Sequence, residues 1–230
     1  MINGQSAGID GDQWAKVANV PGLRCDPPRV AGQDDYKRCL ILAHGAGAPM
    51  DSGFMDEMAQ RLAALGVAVV RFEFPYMAER RVTGGKRPPN PKKVLLECWR
   101  EVYRQVRPLV AGKLAVGGKS MGGRMASLLA DELGADALVC LGYPFYAVGK
   151  PEKPRVEHLA ELKTPTLIVQ GERDALGNRE AVAGYALSPA IEVSWLVAGD
   201  HDLKPLKASG FSHEQHLQAA AERVADFLKD

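Results

Sequence analysis

The sequence predicts an α/β fold in which a mostly parallel central sheet carries helices on both faces. Two observations lead there. Short apolar runs alternate with segments of helical period along all 230 residues, and each run ends in or near Gly, Pro or a polar residue. The length suits one compact domain spanning 1–230, with residues 1–38 as an N-terminal edge segment.

The runs are CLILAH (39–44), VAVVRFEF (67–74), LAVGG (114–118), ALVCLG (137–142), TLIVQG (166–171) and VSWLVAG (193–199). Residues 13–30 are candidates for one or two further edge strands, although Pro21, Pro27 and Pro28 weaken that reading. Between the runs, Met55, Met58, Ala59, Leu62 and Leu65 recur at helical spacing after Ser52, and Gly66 is placed to end that helix. A second helix is expected from Pro91 to Leu109, with Val94, Leu95, Cys98, Val102 and Val106 as its apolar stripe. A third starts just after Ser120 and turns Met121, Met125, Leu128, Leu129 and Leu133 inward before Gly134. The last opens on the capping-box pair Ser212 and Gln215 and buries Leu217, Val224, Phe227 and Leu228.

Composition limits the function. Apolar residues make up 46% and charged residues 25%, the ordinary globular range. Lys and Arg number 29 against 28 Asp and Glu, so no general field favours nucleic acid or an anionic membrane; the expected partner is a small molecule. The start, MINGQSAGIDGDQ, lacks a basic and apolar leader, and no segment approaches the roughly 18–20 apolar residues of a membrane span, so a cytoplasmic location is expected. Cys25, Cys39, Cys98 and Cys140 form no CxxC pair and read as packing thiols.

The sharpest motif is LAVGGKSMGGRMAS, in which Gly118, Ser120 and Gly122 make GxSxG between a predicted strand and a predicted helix. In that context the serine sits on a strained turn above the sheet, and the flanking glycines let strand and helix approach; read blandly, they only close a strand-helix turn. A serine hydroxyl is a weak nucleophile near neutral pH. It needs a base, and the base needs a partner that fixes its tautomer. QGERDALG offers Asp174 after one strand and AGDHDLKP offers His201 after the next, in the order nucleophile, acid, base. Asp200 and Asp202 flank His201 too closely to align easily with its ring, so Asp174 is the better placed acid. His158, His213 and His216 fall in a loop and the terminal helix and read as solvated surface groups. His44 closes a strand in AHGAGAP, so its side chain reads as structural while the amides beside it act. The expected oxyanion hole is the amide of Met121 with that of Ala46 or Gly47.

Other motifs fail on spacing. GKS at 118–120 would end a phosphate-binding loop only with a glycine at position 113, which is Lys113. Asp200, His201 and Asp202 are consecutive and should diverge, which argues against a metal, and no GxGxxG opens the first strand; no cofactor and no metal are expected.

HGAGAPMDSGFM, GGKSMGGRMAS, GERDALG and GDHDLKP together resemble the small KANL/Tex-type branch of the α/β-hydrolase superfamily over residues 39–229. The resemblance implies an α/β-hydrolase fold without a lid, with Ser120, Asp174 and His201 as its triad. Only residues 143–164 lie where larger relatives insert a lid, and they are too few for a helical cap. The expected activity is hydrolysis of carboxylic esters or thioesters through an acyl-enzyme on Ser120. The alternatives are a hydrolase-like scaffold that binds a protein partner, and a serine peptidase. Finally, residues 79–93 carry Arg80, Arg81, Lys86, Arg87, Lys92 and Lys93 against Glu79 alone and are expected to form a loop on the rim of the site. That loop is either merely solvated or attractive to substrates bearing a carboxylate or phosphate.

Overall fold

The computed structural model describes residues 11–29 and 37–229. Its strands are β1 (Leu23–Asp26), β2 (Arg38–Ala43), β3 (Ala68–Phe72), β4 (Lys113–Lys119), β5 (Ala137–Leu141), β6 (Thr166–Gly171) and β7 (Ile191–Leu196). They form one sheet in the order β1-β3-β2-β4-β5-β6-β7, parallel except for β1, which runs antiparallel to β3. The helices are α1 (Gly11–Ala18), α2 (Gly53–Ala64), α3 (Pro75–Thr83), α4 (Lys92–Val106), α5 (Met121–Ser127), α6 (Ala130–Leu133), α7 (Arg179–Ala183) and α8 (His213–Phe227).

Alternation along the strands divides the core between the two faces of the sheet. Ile41, Val70, Val116, Leu138 and Ile168 pack with Trp99 of α4 and Met125 of α5. Leu40, Leu42, Val69, Val139 and Val169 pack with Met58 and Leu62 of α2 and Val224 of α8. The α/β-hydrolase fold, with helices on both faces, is therefore the observed one. Between β5 and β6 the chain holds only a single 3-10 turn, Glu157–Leu159, so no lid domain stands over the sheet there. Among the described residues, no helix is long and apolar enough to cross a membrane.

Several boundaries differ from expectation. Residues 11–18 form a helix, and only Leu23–Asp26 of the proposed edge region pairs as a strand; residues 1–10, 30–36 and 230 lie outside the described ones. The last strand covers Ile191–Leu196 rather than 193–199, because Ala198 takes φ +53 in a turn. The helix after Ser120 is broken into α5 and α6, and Leu128 is only partly buried. On α4 the buried stripe is Leu95, Trp99, Val102, Tyr103 and Val106, while Val94 is exposed. Trp99 meets Phe72 edge-on at 4.9 Å, and this large ring sets which side of the helix faces inward.

Residues 79–93 are not one loop. Pro75 occupies the first turn of α3 and Gly84, at φ +69, ends it, so Glu79–Thr83 are helical; Lys92 and Lys93 already belong to α4. The start and stop residues outweighed the bias of the basic stretch. The cysteines are free thiols, and burial raises them all, Cys25 to about 12 and Cys98 to about 11, which makes them poor nucleophiles.

Candidate active site

The sheet order reverses between β2 and β4: the chain passes from β2 through α2 to β3 on one side, then crosses to β4 on the other. Parallel sheets open a crevice at such a point, at the carboxyl ends of the strands. Ser120 follows β4 there, beside the loop that leaves β2 at His44.

Ser120 has φ +50 and ψ −116, a conformation that costs a non-glycine residue about 1–3 kcal/mol. Its amide donates to Leu141 O at 3.0 Å, and its carbonyl accepts from Arg124 N at 3.0 Å, so the turn is held from β5 and from α5. The neighbouring glycines are there for close approach. A Cβ on Gly122 would fall 2.5 Å from Ala43 O and 2.6 Å from His44 O, and one on Gly118 would fall 2.6 Å from Ala43 O. Backbone carbonyls cannot yield to such contacts, so only glycine brings α5 this close to β2.

The turn aims Ser120 Oγ at His201 Nε2, 2.8 Å away, and His201 Nδ1 lies 2.8 Å from Asp174 Oδ2. Asp174 is fully buried; its Oδ2 also accepts from Gln170 Nε2 at 2.9 Å, and its Oδ1 accepts from Leu176 N at 2.8 Å. The three residues named from the sequence thus form one hydrogen-bonded chain. Neither neighbour of His201 enters it: Asp200 Oδ1 accepts from the amides of Asp202 and Lys204, and Asp202 faces Lys119.

The loop after β2 is braced by its histidine. Phe74 N donates to His44 Nε2 at 3.1 Å, which leaves the proton on Nδ1 to donate to Gly45 O at 2.7 Å. Burial holds the His44 imidazole below its ordinary pKa, in keeping with this neutral form. Tyr76 Oη adds bonds to Gly45 O at 3.3 Å and Ala46 O at 2.9 Å. In a trans peptide the carbonyl and N–H point in opposite directions. With Gly45 O held towards His44 and Tyr76, the Ala46 N–H is turned away from them. Ala46 lines two cavities that both include Ser120. Met121 opens α5, where first-turn amides have no acceptor within the helix.

Of the other histidines, His158 and His216 are not the solvated surface groups the sequence suggested, whereas His213 is partly exposed. His158 packs its Nε2 2.9 Å from Ser127 Oγ and 3.4 Å from Tyr143 Oη; burial, then Arg124 and Lys92, push it down to about 4. Ser127 is itself buried and donates to Arg124 O, so this second Ser-His pair is internal packing. His216 is buried with Nδ1 2.9 Å from Leu203 O, and His213 Nε2 lies 2.9 Å from Asp202 O. The Leu203 carbonyl gives the buried His216 ring a partner, while His213 keeps its hydrogen bond near the surface.

Residues 36–229 match the family described as alpha/beta hydrolase domain. The chain belongs to the α/β-hydrolases. Its fold is similar to that of a serine hydrolase homologue from Coxiella burnetii (20% identity, TM-score 0.65, 90% of each chain covered). It is also similar to a serine hydrolase without a lid from Xanthomonas campestris (19%, 0.63, 97% of each chain). A dienelactone hydrolase from Anabaena variabilis matches as well (19%, 0.66, 98% of this chain and 96% of that chain).

Two residues of this α/β-hydrolase escaped the sequence reading. Gln170 is fully buried in β6; its Nε2 lies within reach of Asp174 Oδ2, Tyr143 O and Gly177 O, and its Oε1 accepts from Tyr143 N at 2.7 Å. Its signal was a lone amide at the end of the apolar run TLIVQG. Lys119, the variable residue before Ser120, donates from Nζ to His201 O at 2.7 Å, faces Asp202 Oδ1 at 3.2 Å and lies 5.5 Å from the centre of the Phe54 ring. Burial pulls its pKa down while Asp202 opposes that shift. Lys119 therefore tethers the His201 loop to the strand that carries Ser120. Lys119→Met keeps the stem and removes the tether. A hydrogen bond to a charged group contributes about 1.5–3 kcal/mol, so kcat is expected to fall roughly 10- to 100-fold. Ester kinetics on protein whose thermal unfolding has been checked tests this, and an unchanged kcat would show that the tether does not position His201.

Proposed function

We propose that this chain is a single-domain cytoplasmic serine hydrolase of the KANL/Tex-type branch that cleaves carboxylic esters or thioesters through an acyl-enzyme on Ser120, without a cofactor. The observation that carries this reading is the line from Ser120 Oγ to His201 Nε2 and from His201 Nδ1 to buried Asp174, each step 2.8 Å, starting from a serine at positive φ. A strained nucleophile with a base and a buried carboxylate in hydrogen-bond reach is an arrangement for acyl transfer.

In this mechanism His201 Nε2 takes the hydroxyl proton as Ser120 Oγ bonds to the substrate carbonyl carbon. Asp174 stabilises the imidazolium and keeps its Nδ1 proton in place. The carbonyl oxygen becomes an oxyanion that the amides of Ala46 and Met121 receive. When the carbonyl–oxygen or carbonyl–sulfur bond breaks, His201 gives its proton to the leaving group. Water, deprotonated by the same ring, then cleaves the acyl-enzyme and restores the serine.

The leaving atom must lie within reach of His201. A cavity of about 390 Å³ lined by Gly45, Ser52, Phe54, Lys119 and His201 fits the leaving arm. A second cavity, about 420 Å³, shares Ala46 and Ser120 but is not lined by His201, and so fits the acyl arm. Labelling with a fluorophosphonate followed by peptide mapping tests the reading. Modification confined to Ser120 is expected; folded protein left unlabelled at Ser120 would overturn it.

A further inference from the structure

The acyl-side cavity has an unusual charge distribution. Lys92, Arg124 and Arg155 line it, and no Asp or Glu does. Several other arginines of this nearly neutral chain are paired: Arg71 with Asp26 and Asp56, Arg81 with Asp51 and Glu73, Arg87 with Glu79, Arg100 with Glu132. The basic stretch read from the sequence is thus partly neutralised, and its member at the nucleophile is Lys92. Among the described residues, Lys92, Arg124 and Arg155 have no ion pair and no side-chain hydrogen bond, and Arg124 Nε is buried with no partner at all. Burial pulls the Arg124 guanidinium below its ordinary pKa; Tyr143 opposes that shift, and the like charge of Arg155 adds to it. His158 alongside is held neutral near pH 7 by burial and by Arg124 and Lys92.

Three cations from three separate elements, the start of α4, the middle of α5 and the loop after β5, therefore line one cavity beside Ser120 with no carboxylate among its lining residues. An anion in the cavity would pair with the cationic groups that line it and relieve their mutual repulsion, and planar guanidinium groups match carboxylate and phosphate geometry. The side of Ser120 on which they stand decides which arm of the substrate carries that anion.

We propose that Lys92, Arg124 and Arg155 form an anion-binding subsite for the acyl arm, so that the substrates are half-esters or half-thioesters of diacids, with a terminal carboxylate or phosphate-like group. The proposal rests on the acyl-enzyme reading above and specifies its substrate class. In the reaction, Ser120 Oγ bonds to the ester carbonyl as the bond to the leaving oxygen or sulfur breaks, and His201 passes the serine proton to that atom. Water then releases the free diacid and restores Ser120, while the distal anion stays on the three cations throughout.

The test compares three 4-nitrophenyl esters: hydrogen glutarate, a 4-phosphonobutanoate and the neutral pentanoate. Wild type is expected to prefer at least one anionic ester by tenfold or more in kcat/KM at low ionic strength, mostly through KM, and the preference should shrink as salt rises. The two anionic arms distinguish carboxylate from phosphonate recognition. In Arg124→Gln, Arg155→Gln and the triple variant with Lys92→Gln, the ratio of anionic to neutral kcat/KM is expected to fall stepwise to about one. Arg155→Gln and a Lys92→Gln single variant serve if Arg124→Gln does not fold. A second readout needs no turnover: glutarate or inorganic phosphate should slow fluorophosphonate labelling of Ser120 in wild type but not in the triple variant. If Ser120 labels and the pentanoate is hydrolysed without any preference for an anion, the subsite is wrong and the acyl-enzyme reading stands. If Ser120 does not label and no ester turns over, both fall.

Discussion

Ser120→Ala and His201→Ala are each expected to lower kcat for a neutral aryl ester by roughly 10⁴- to 10⁶-fold, with the double variant no worse than the poorer single one. The two groups are 2.8 Å apart and act on the same proton, so removing either removes the function of both. What survives should come from binding and from the Ala46 and Met121 amides, which neither substitution touches. The fold should survive as well. The positive φ at position 120 is held by backbone bonds to Leu141 and Arg124, and these do not use the hydroxyl. Steady-state kinetics on the two single variants and the double variant, with circular dichroism as the check on folding, gives the answer. A double variant slower than either single one by orders of magnitude would mean that Ser120 and His201 do not share a mechanism.

The residues of this chain differ in how openly they declare their roles. The strained turn at Ser120 was legible because its conformation has a local cause: the glycines of GGKSMGG permit contacts that any Cβ would block, so the requirement is written next to the serine. Asp174 and His201 were legible through order and strand ends, which parallel topology fixes. Lys119 and Gln170 were not, because what they do depends on partners brought in by the fold. Lys119 meets a carbonyl 82 positions away, and a lysine before the serine of GxSxG suggests nothing in itself. The face of α4 was misjudged by one step because branched aliphatic residues were counted and Trp99 was not. The charge balance of the cavity beside Ser120 was invisible for the same reason. The sequence displays six cations between residues 80 and 93, but which carboxylates neutralise them is decided by contacts such as Arg81 with Asp51, 30 positions apart.

Asp174→Asn is expected to lower kcat by roughly 10³- to 10⁴-fold while leaving the site almost isosteric. The loss follows from counting donors. Asp174 accepts three hydrogen bonds in a fully buried position, from His201 Nδ1 and Gln170 Nε2 on Oδ2 and from Leu176 N on Oδ1. An asparagine amide offers one oxygen and one NH2. If its oxygen faces His201, the NH2 opposes the Leu176 amide, a buried clash of donors that costs about 1–3 kcal/mol, and no negative charge remains to stabilise the imidazolium. If its oxygen faces Leu176, the NH2 opposes Gln170 Nε2 and donates to His201 Nδ1, which moves the ring proton to Nε2. The ring then has no lone pair with which to take the proton of Ser120. Gln170 cannot turn over to relieve the clash, because its Oε1 is held by Tyr143 N at 2.7 Å. Both orientations thus stall the same step, and the variant should also unfold more easily, by about 1–3 kcal/mol. Kinetics with the neutral ester, together with denaturant unfolding, separates the two effects. Folded Asp174→Asn protein that keeps more than about a tenth of wild-type kcat would remove Asp174 from the mechanism and leave its carboxylate a packing role alone.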